Sequence, residues 1–179
     1  QKEVSAAVDM LVYYAGWSDK YQQVFSSVNP VESSHFNFSF PEPTGVVAAI
    51  ESQQQGLLNL VSLMAPALAG GNSIIILAAE KFPLTAIDFA EVLNASDVPG
   101  GVVNILTGFS KELHSHFSSH MDVNAIVYAG DDSTELKTIQ TNAAGNVKRV
   151  VVVRNIAEES PYRIMELQEV KTTWHPVGI

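Results

Sequence analysis

Apolar and polar positions form two alternating patterns along the middle of the chain. Short runs of apolar, mostly β-branched residues predict strands buried on both faces, at 45–50, 73–79, 102–106, 125–129 and 149–153. The segments between these runs place apolar residues three or four positions apart, as amphipathic helices do. Strands that alternate with helices favour a parallel sheet covered on both faces. We therefore predict an α/β fold with a doubly wound sheet of five parallel strands.

The first 25 residues predict a helix that runs to about Phe25. Its apolar stripe has the spacing of one helix face and consists of Val4, Val8, Leu11 and Ala15. The helix after the first predicted strand has a similar stripe, formed by Leu57, Leu60, Val61 and Met64. We expect both stripes to face the core of the protein.

A strand outside the parallel sheet is predicted by the alternation in "SHFNFSF", within 34–41. Three aromatic side chains share one face of this segment: Phe36, Phe38 and Phe40. The side chains of Asn37 and Ser39 point the other way, so we expect a half-buried strand. The prolines that follow, Pro41 and Pro43, are expected to end it.

After residue 153 the regular rhythm stops, and the polar stretch that follows predicts a loop. A separate tail strand comes next, in "EVKTTWHPV". Alternate residues share one face of it: Val170, Thr172 and Trp174.

Composition excludes several classes of partner and site. The net charge is −9, and the ten Lys and Arg residues are not clustered, so we expect no nucleic acid partner. No apolar run approaches the ~18 residues of a membrane span, so we expect no membrane partner. The chain has no Cys, which removes disulfides, thiolate metal sites and a Cys nucleophile. A cytoplasmic location fits this composition.

Carboxyl groups follow three of the predicted strands, at the sheet edge where α/β proteins bind ligands. Glu51 and Glu80 each come directly after a strand. They would suit an acid–base pair, although we favour solvated loop carboxylates. Asp131 and Asp132 would repel a pyrophosphate, and we expect them to cap the next helix. No glycine-rich phosphate-binding motif is present.

Three histidines lie close together in the sequence, at His114, His116 and His120. A helix would place His116 and His120 on one face, as in some metal sites. No Cys or obvious carboxylate completes a ligand set, so we expect no metal. A flavodoxin-like response domain is disfavoured, because its acidic cluster with a lysine is not found.

Several phrases resemble the aldehyde dehydrogenase superfamily, in its order and near its spacing. They are "YYAGWSDK", "EPTGVV", "APALAGGNSIII", "PLTA", "VPGGVVNILTGF", "SHMDVNAIVYAG" and "NVKRVVVV". The resemblance covers about Val8 to Val153 and implies that family's Rossmann-like NAD-binding domain. We place this domain at 1–160, with a flap strand inserted at 34–41. The segment 161–179 contains "ELQEVKTTWHPV", similar to the family's C-terminal oligomerisation flap, and we expect the catalytic domain to be absent.

The resemblance also locates catalytic positions, and these are changed. It places the oxyanion-hole Asn at Gln54, within the turn formed by Gln53 to Gln55. The general-base Glu falls on Val153. The nucleophilic Cys belongs to the catalytic domain that we expect to be absent. We interpret the glutamine turn as a solvent-exposed part of a pocket that has lost its chemistry.

The cofactor positions implied by the resemblance are changed as well. The Lys and Glu that hold the ribose fall on Leu77 and Glu80, of which Glu80 alone is retained. The family's Phe-Thr-Gly-Ser ends in Gly130 and Asp131 here, so a carboxylate replaces the Ser that contacts pyrophosphate. We therefore expect these positions to be vestigial and the chain to bind no cofactor.

The pattern of losses is similar to the second, non-catalytic unit of family-16 aldehyde dehydrogenases. We expect a non-catalytic module, or pseudoenzyme, with a scaffold or oligomerisation role inside a larger aldehyde dehydrogenase chain. Its expected interface residues are Phe36, Phe38, Phe40, Val170, Thr172 and Trp174. Its expected partners are an aldehyde dehydrogenase catalytic unit, in the same chain or another subunit, and a second copy through the flap. The alternative is the NAD- or NADP-binding portion of an aldehyde oxidoreductase.

Overall fold

The structure is a computed structural model, which describes residues 1–178. The helices are α1 (Lys2–Ala15), α2 (Tyr21–Phe25), α3 (Leu57–Ala69), α4 (Pro83–Asn94), α5 (Ser110–Ser119), α6 (Ser133–Ala144) and α7 (Tyr162–Met165). The strands are β1 (Ser27–Asn29), β2 (His35–Pro43), β3 (Val46–Ile50), β4 (Ser73–Leu77), β5 (Val103–Leu106), β6 (Ala125–Tyr128), β7 (Arg149–Val152) and β8 (Gln168–Pro176). None of the helices within 1–178 has the length and apolar character needed to cross a membrane.

The larger sheet has the order β5-β4-β3-β6-β7, and every neighbouring pair is parallel. This confirms the predicted doubly wound α/β fold. Within this sheet the chain enters at the central strand β3, continues outward through β4 and β5, and then returns to the other side of β3. The strand order therefore reverses between β3 and β6, which is where such sheets open a crevice for ligands.

Helix α3 lies at the centre of the main core. The predicted stripe faces the core, since Leu60, Val61 and Met64 are buried. Burial extends beyond this stripe, because every residue from Leu58 to Ala67 is buried. The helix packs on β4 on one side and on α1 and α7 on the other. Burial on all sides explains why the sequence of α3 is apolar nearly throughout.

The prediction that the stripe of α1 faces the core was wrong. Val4 and Val8 are 53% and 51% exposed, whereas Ala7, Met10 and Tyr14 are buried. Both sides of this helix are apolar, so periodicity alone could not select the side that packs against α3. The helix also ends at Ala15, ten residues before the predicted end, and a turn separates it from α2.

The smaller sheet is antiparallel and has the order β1-β2-β8. The predicted tail strand is therefore confirmed and pairs with "HFNFSF", with Phe38 opposite Thr173. Pro41 does not end β2, contrary to the prediction, whereas Pro43 is the last residue of the strand, as predicted. Strand β1 stops at the register of Ser39, so beyond that point β2 has a free edge, where proline is tolerated.

The two faces of this small sheet differ. The phenylalanines lie on one face, where Phe36 is 46% exposed, while Asn37 on the opposite face is 2% exposed. The strand is half-buried, as predicted, but its buried face is the one that carries Asn37, and the phenylalanine face is the more exposed one. Residues paired across an antiparallel sheet share a face. Trp174 pairs with Asn37, so it lies on the face away from the phenylalanines.

The segment between β7 and β8 is packed rather than loose. It contains α7, whose Ile164 is fully buried, and it continues to the buried Leu167. The buried Arg163 donates a hydrogen bond through Nη1 to Oγ of Ser62 on α3, at 3.0 Å. The predicted tail 161–179 thus contacts the main core through its first residues, and its last residue, 179, lies outside the described part of the chain.

Candidate functional site

A cleft of about 470 Å³ opens at the reversal of strand order, between the carboxyl ends of β3 and β6 and the helices α5 and α6. Its walls carry five carboxyl groups: Glu51, Glu80, Asp131, Asp132 and Glu135. Lys111 is the one lysine that lines it, and His114 lies nearby on α5. The cleft therefore has the position of a ligand site in this fold, but its charge is strongly acidic.

Glu51 follows directly after β3 and is 3% exposed, so the prediction of a solvated carboxylate was wrong. Its backbone N–H extends the sheet by donating to the carbonyl of Leu77, at 3.2 Å. The carboxyl Oε2 accepts the N–H of Ala79 at 3.0 Å, while Oε1 is buried and has no hydrogen-bond partner within residues 1–178. Burial raises the pKa of Glu51 to about 8, although the bond from Ala79 opposes the shift.

Glu80 is exposed, as predicted, and lies at the start of α5. Its Oε1 accepts the backbone N–H of Ser110 at 2.9 Å, so a side chain from another loop satisfies a free N–H of this helix. Ser110 is the first residue of α5, and no side chain at the preceding N-cap position makes a capping bond. Glu51 and Glu80 bond to different backbone groups, which gives no support to an acid–base pair.

Glu135 on α6 is the centre of a polar network that sequence reasoning missed. The hydroxyl of Tyr128 donates to its Oε2 at 2.8 Å, and the hydroxyl of Ser110 donates to Oε1. The ring of His114 lies 3.4 Å from the same Oε1. Burial, reinforced by the adjacent Glu135, raises the pKa of Tyr128, so this phenol stays protonated. The only signal in the sequence was an acidic residue in the first turn of a helix.

The two aspartates after β6 have separate roles. Asp132 is the N-cap of α6, and its Oδ1 accepts the N–H groups of Thr134 and Glu135 at 2.8 and 3.2 Å, which confirms the capping prediction for this residue. These two bonds lower the pKa of Asp132. Asp131 makes no capping bond. It accepts a hydrogen bond from the side chain of Gln54 instead.

The glutamine turn lies at the rim of the cleft. Gln54 and Gln55 are exposed, as predicted, and Gln53 is partly buried. Oε1 of Gln53 accepts the N–H of Lys81 at 3.3 Å, so the turn contacts the neighbouring loop after β4. Leu77, at the position that the resemblance assigns to a ribose-holding Lys, is buried.

The histidines do not form the helical pair that the sequence predicted. Helix α5 ends at Ser119, and His120 has extended backbone angles, so His116 and His120 do not share a helical face. The Nδ1 atom of His114 is 2.7 Å from the carbonyl of Ser110. Within residues 1–178, no group of three or more His, Cys, Asp or Glu side chains has an arrangement that could hold a metal ion.

The fold and the order of its segments match a known family. The model of the aldehyde dehydrogenase family matches residues 1–154. The chain belongs to the aldehyde dehydrogenase family. Among curated relatives, the mitochondrial aldehyde dehydrogenase of Homo sapiens is 35% identical over 165 residues, which cover 91% of this chain and 31% of the relative. The omega-crystallin of Enteroctopus dofleini is 35% identical over 150 residues, which cover 83% of this chain and 29% of the relative.

Solved aldehyde dehydrogenase structures resemble this one over most of the chain. An NAD+ complex of aldehyde dehydrogenase from Bacillus cereus superposes with a TM-score of 0.78 at 29% identity, and covers 84% of this chain and 30% of the other. PnpE from Pseudomonas sp. WBC-3 superposes with a TM-score of 0.77 at 31% identity, and likewise covers 84% of this chain and 30% of the other. The chain thus spans about three tenths of the length of the relatives that it matches.

The Bacillus cereus relative is described as an NAD+ complex, and NAD+ carries an anionic pyrophosphate. A pyrophosphate is bound by cations, hydroxyls and free N–H groups. Here Asp131 presents a carboxylate at the rim, and Asp132 already occupies the N–H groups of Thr134 and Glu135 in the first turn of α6. Glu135 lies between α5 and α6. These residues do not fit an anionic dinucleotide.

Proposed function

We propose that this chain is a non-catalytic aldehyde dehydrogenase-like module, or pseudoenzyme, with a scaffold or oligomerisation role in a larger aldehyde dehydrogenase chain. One observation carries the proposal: Gln54 and Asp131 bond to each other at 3.1 Å. The resemblance assigns these two positions to an oxyanion donor and to a pyrophosphate contact. In this chain the two side chains bond to each other, and neither position keeps the residue type that the family uses for a substrate or cofactor.

The other positions implied by the resemblance support the same proposal. The chain has no Cys to act as a nucleophile. Val153, at the position of the general base, is an apolar side chain buried in the main core. Without a Cys the chain cannot form a thioester, and the side chain of Val153 cannot take up a proton. The module therefore contributes no step of aldehyde oxidation.

The phenylalanine face of the small sheet supports the association role. Phe36 and Phe38 have ring centroids 5.5 Å apart, and Phe38 and Phe40 have centroids 5.7 Å apart. This aromatic ladder borders an apolar hollow of about 300 Å³ that also includes Val28. Exposed apolar patches of this kind mark interaction surfaces. The partners we propose are an aldehyde dehydrogenase catalytic unit, in cis or in trans, and a second copy of the flap, in the cytoplasm.

The proposed loss of cofactor binding is tested by isothermal titration calorimetry with NAD+ and NADP+. We expect no saturable heat with either nucleotide, and no NADH formation with an aldehyde substrate. Micromolar binding of either nucleotide would refute the proposal as stated. It would favour the alternative, an NAD(P)-binding portion of an aldehyde oxidoreductase, for which the retained Glu80 and the NAD+ complex of a relative are the supporting observations.

A further inference from the structure

The main sheet ends at β5, which has a free edge. In the described part of the chain, β4 is the only strand that pairs with β5. The carbonyls of Val102 and Leu106 accept N–H groups from β4 and the residue after it, at 2.8 and 2.9 Å. Because backbone groups alternate in direction along a strand, the N–H and C=O groups of Val103 and Ile105 point away from β4. This edge therefore offers two donors and two acceptors to another strand.

The two edges of the main sheet differ in how they are protected. Natural edge strands carry charged side chains or proline that discourage pairing with other chains. The edge strand β7 begins with Arg149, whose Nη1 donates to the carbonyls of Glu166 and Gln168 at 2.8 and 2.7 Å. The four residues of β5 are Val, Asn, Ile and Leu, with no charge and no proline. Of the two edges, β5 is therefore the one suited to accept a further strand.

A hollow of about 480 Å³ lies between this edge and α4. Val103 and Ile105 line it from the strand, and Ala90 and Leu93 line it from the helix. A side chain added at Gly101, in the turn before β5, would meet no atom within 4 Å, so this end of the hollow is open. Residues paired across neighbouring strands share a face. A segment that pairs with β5 would therefore direct alternate side chains into an aliphatic hollow.

The segment that forms this edge carries only negative charge. Between residues 82 and 110 the chain has three carboxylates, Asp88, Glu91 and Asp97, and no Lys or Arg. Glu91 and Asp97 are exposed, and each adjoins a residue that lines the hollow. A second copy of the chain, with its net charge of −9, would bring the same carboxylates to this edge. A cationic segment is the better match, because opposite charges complement each other across an interface.

We propose that the free edge of β5 binds an extended, cationic segment of a partner protein. The segment adds a strand to the main sheet through the backbone groups of Val103 and Ile105, as in other cases of strand addition. Its alternate aliphatic side chains enter the hollow beside α4, and its Lys or Arg residues are attracted by Glu91 and Asp97. The surface lies on the main sheet and not on the flap, so this binding role goes beyond the proposed association role and does not depend on it.

The probe for this test is the peptide acetyl-KTVTVTK-amide, whose valines are spaced like Val103 and Ile105. Binding is followed by 1H–15N NMR at physiological ionic strength, and hydrogen exchange identifies the amides that become paired. We expect saturable binding below about 1 mM. Near saturation the amides of Val103 and Ile105 should exchange about tenfold more slowly than in the free protein. The charge-reversed peptide acetyl-ETVTVTE-amide should bind at least about tenfold more weakly.

Two double variants test the role of charge on the protein. Glu91→Gln with Asp97→Asn should weaken binding of the lysine peptide about fivefold. The matched control, Asp9→Asn with Glu32→Gln, removes the same charge from exposed positions outside the segment 82–110 and should change the affinity by less than about twofold. These exposed substitutions leave the core intact, so both variants should fold as the wild type does.

The variant Val103→Pro tests the backbone pairing. It removes an N–H of the free edge and no bond to β4, which is a position where proline is tolerated. It should abolish the peptide-dependent protection of Ile105, and a thermal melt shows whether the variant remains folded. Absence of binding up to about 1 mM, equal binding of the two peptides, or shifts confined to the small sheet would each overturn the proposal. Protection of the same amides at high protein concentration without peptide would assign the edge to a second copy and would also overturn it.

Discussion

The Nε2 amide of Gln54 donates to Oδ2 of Asp131 at 3.1 Å, and so joins the turn after β3 to the turn after β6. The bond spans the point where the strand order reverses. Both partners are exposed, so water competes with the bond and its net contribution to stability is small.

The first prediction separates the two adjacent aspartates after β6. Gln54→Ala and Asp131→Ala should each change the free energy of unfolding by less than about 0.5 kcal/mol, as surface substitutions do. Asp132→Ala should lower the Tm, because it removes the N-cap of α6.

The bonds that lower the pKa of Asp132 stabilise the fold above its ordinary pKa of 3.8, and this contribution is lost as the pH falls through the lower native value. Thermal melts at neutral pH and well below pH 3.8 should therefore show a penalty for Asp132→Ala that shrinks in acid.

The second prediction concerns the pH dependence of stability. Burial raises the pKa of Glu51 from 4.5 to about 8, so the native state favours the protonated carboxyl. The contribution of Glu51 to stability is fully present below pH 4.5 and is lost as the pH rises through about 8, by up to about 5 kcal/mol. Glu51→Gln should remove this slope, so that the variant becomes more stable than the wild type above pH 8. Urea unfolding at a series of pH values measures this.

The control for that experiment is Glu91→Gln, which should keep the wild-type slope because Glu91 is exposed. An unchanged slope in Glu51→Gln would show that other groups determine the pH dependence and would contradict the burial argument for Glu51.

The third prediction tests whether the segment between β7 and β8 is part of the main core. Ile164 on α7 is fully buried, whereas Val170 on β8 is exposed. Ile164→Ala should therefore cost about 3 kcal/mol of unfolding free energy. Val170→Ala should change it by less than about 0.5 kcal/mol. Chemical denaturation of both variants provides the measurement, and a cost for Ile164→Ala as small as that of Val170→Ala would show that α7 is not firmly docked.

The parallel sheet could be predicted from the sequence because its strands are continuous apolar runs. A segment such as "SIIILAA" offers no polar face, so it fits a strand covered on both sides and little else. The helix α1 is the opposite case. It has apolar residues on more than one face, and the side that carries Ala7 and Met10 is buried because α3 packs there. The spacing of apolar residues along α1 does not indicate which side of the helix packs against α3.

The candidate site was predicted in its position but not in its chemistry. The rule for α/β sheets located the crevice, and the sequence identified Asp132 as a cap. It did not indicate that Glu51 is buried, because a Glu after a strand is ordinarily in water. The contacts of Glu51 are with Leu77 at the end of β4 and with Ala79 after it, which are distant in sequence. The role of Glu135 was missed for the same reason, since its partners Tyr128 and Ser110 come from other elements.

The last prediction distinguishes the two faces of the small sheet as sites of association. The residues expected at the interface do not form one surface, because Phe38 pairs with Thr173 on one face while Trp174 pairs with Asn37 on the other. The stacked phenylalanines and the apolar hollow beside them lie on the first face. We therefore expect Phe38→Ser to shift the chain from an oligomer towards a monomer, whereas Trp174→Ser should leave its association unchanged.

Size-exclusion chromatography with light scattering, over a range of protein concentrations, measures this difference. Docking in cis is tested by placing the same two variants in a chain fused to an aldehyde dehydrogenase catalytic unit. Limited proteolysis of the flap then measures whether the flap is protected. Because each variant removes one aromatic side chain, a general loss of stability would affect both. Dissociation caused only by Trp174→Ser would assign the interface to the opposite face. A wild-type chain that is monomeric at all concentrations, and whose flap is cleaved equally in the fused and isolated forms, would contradict the association role itself.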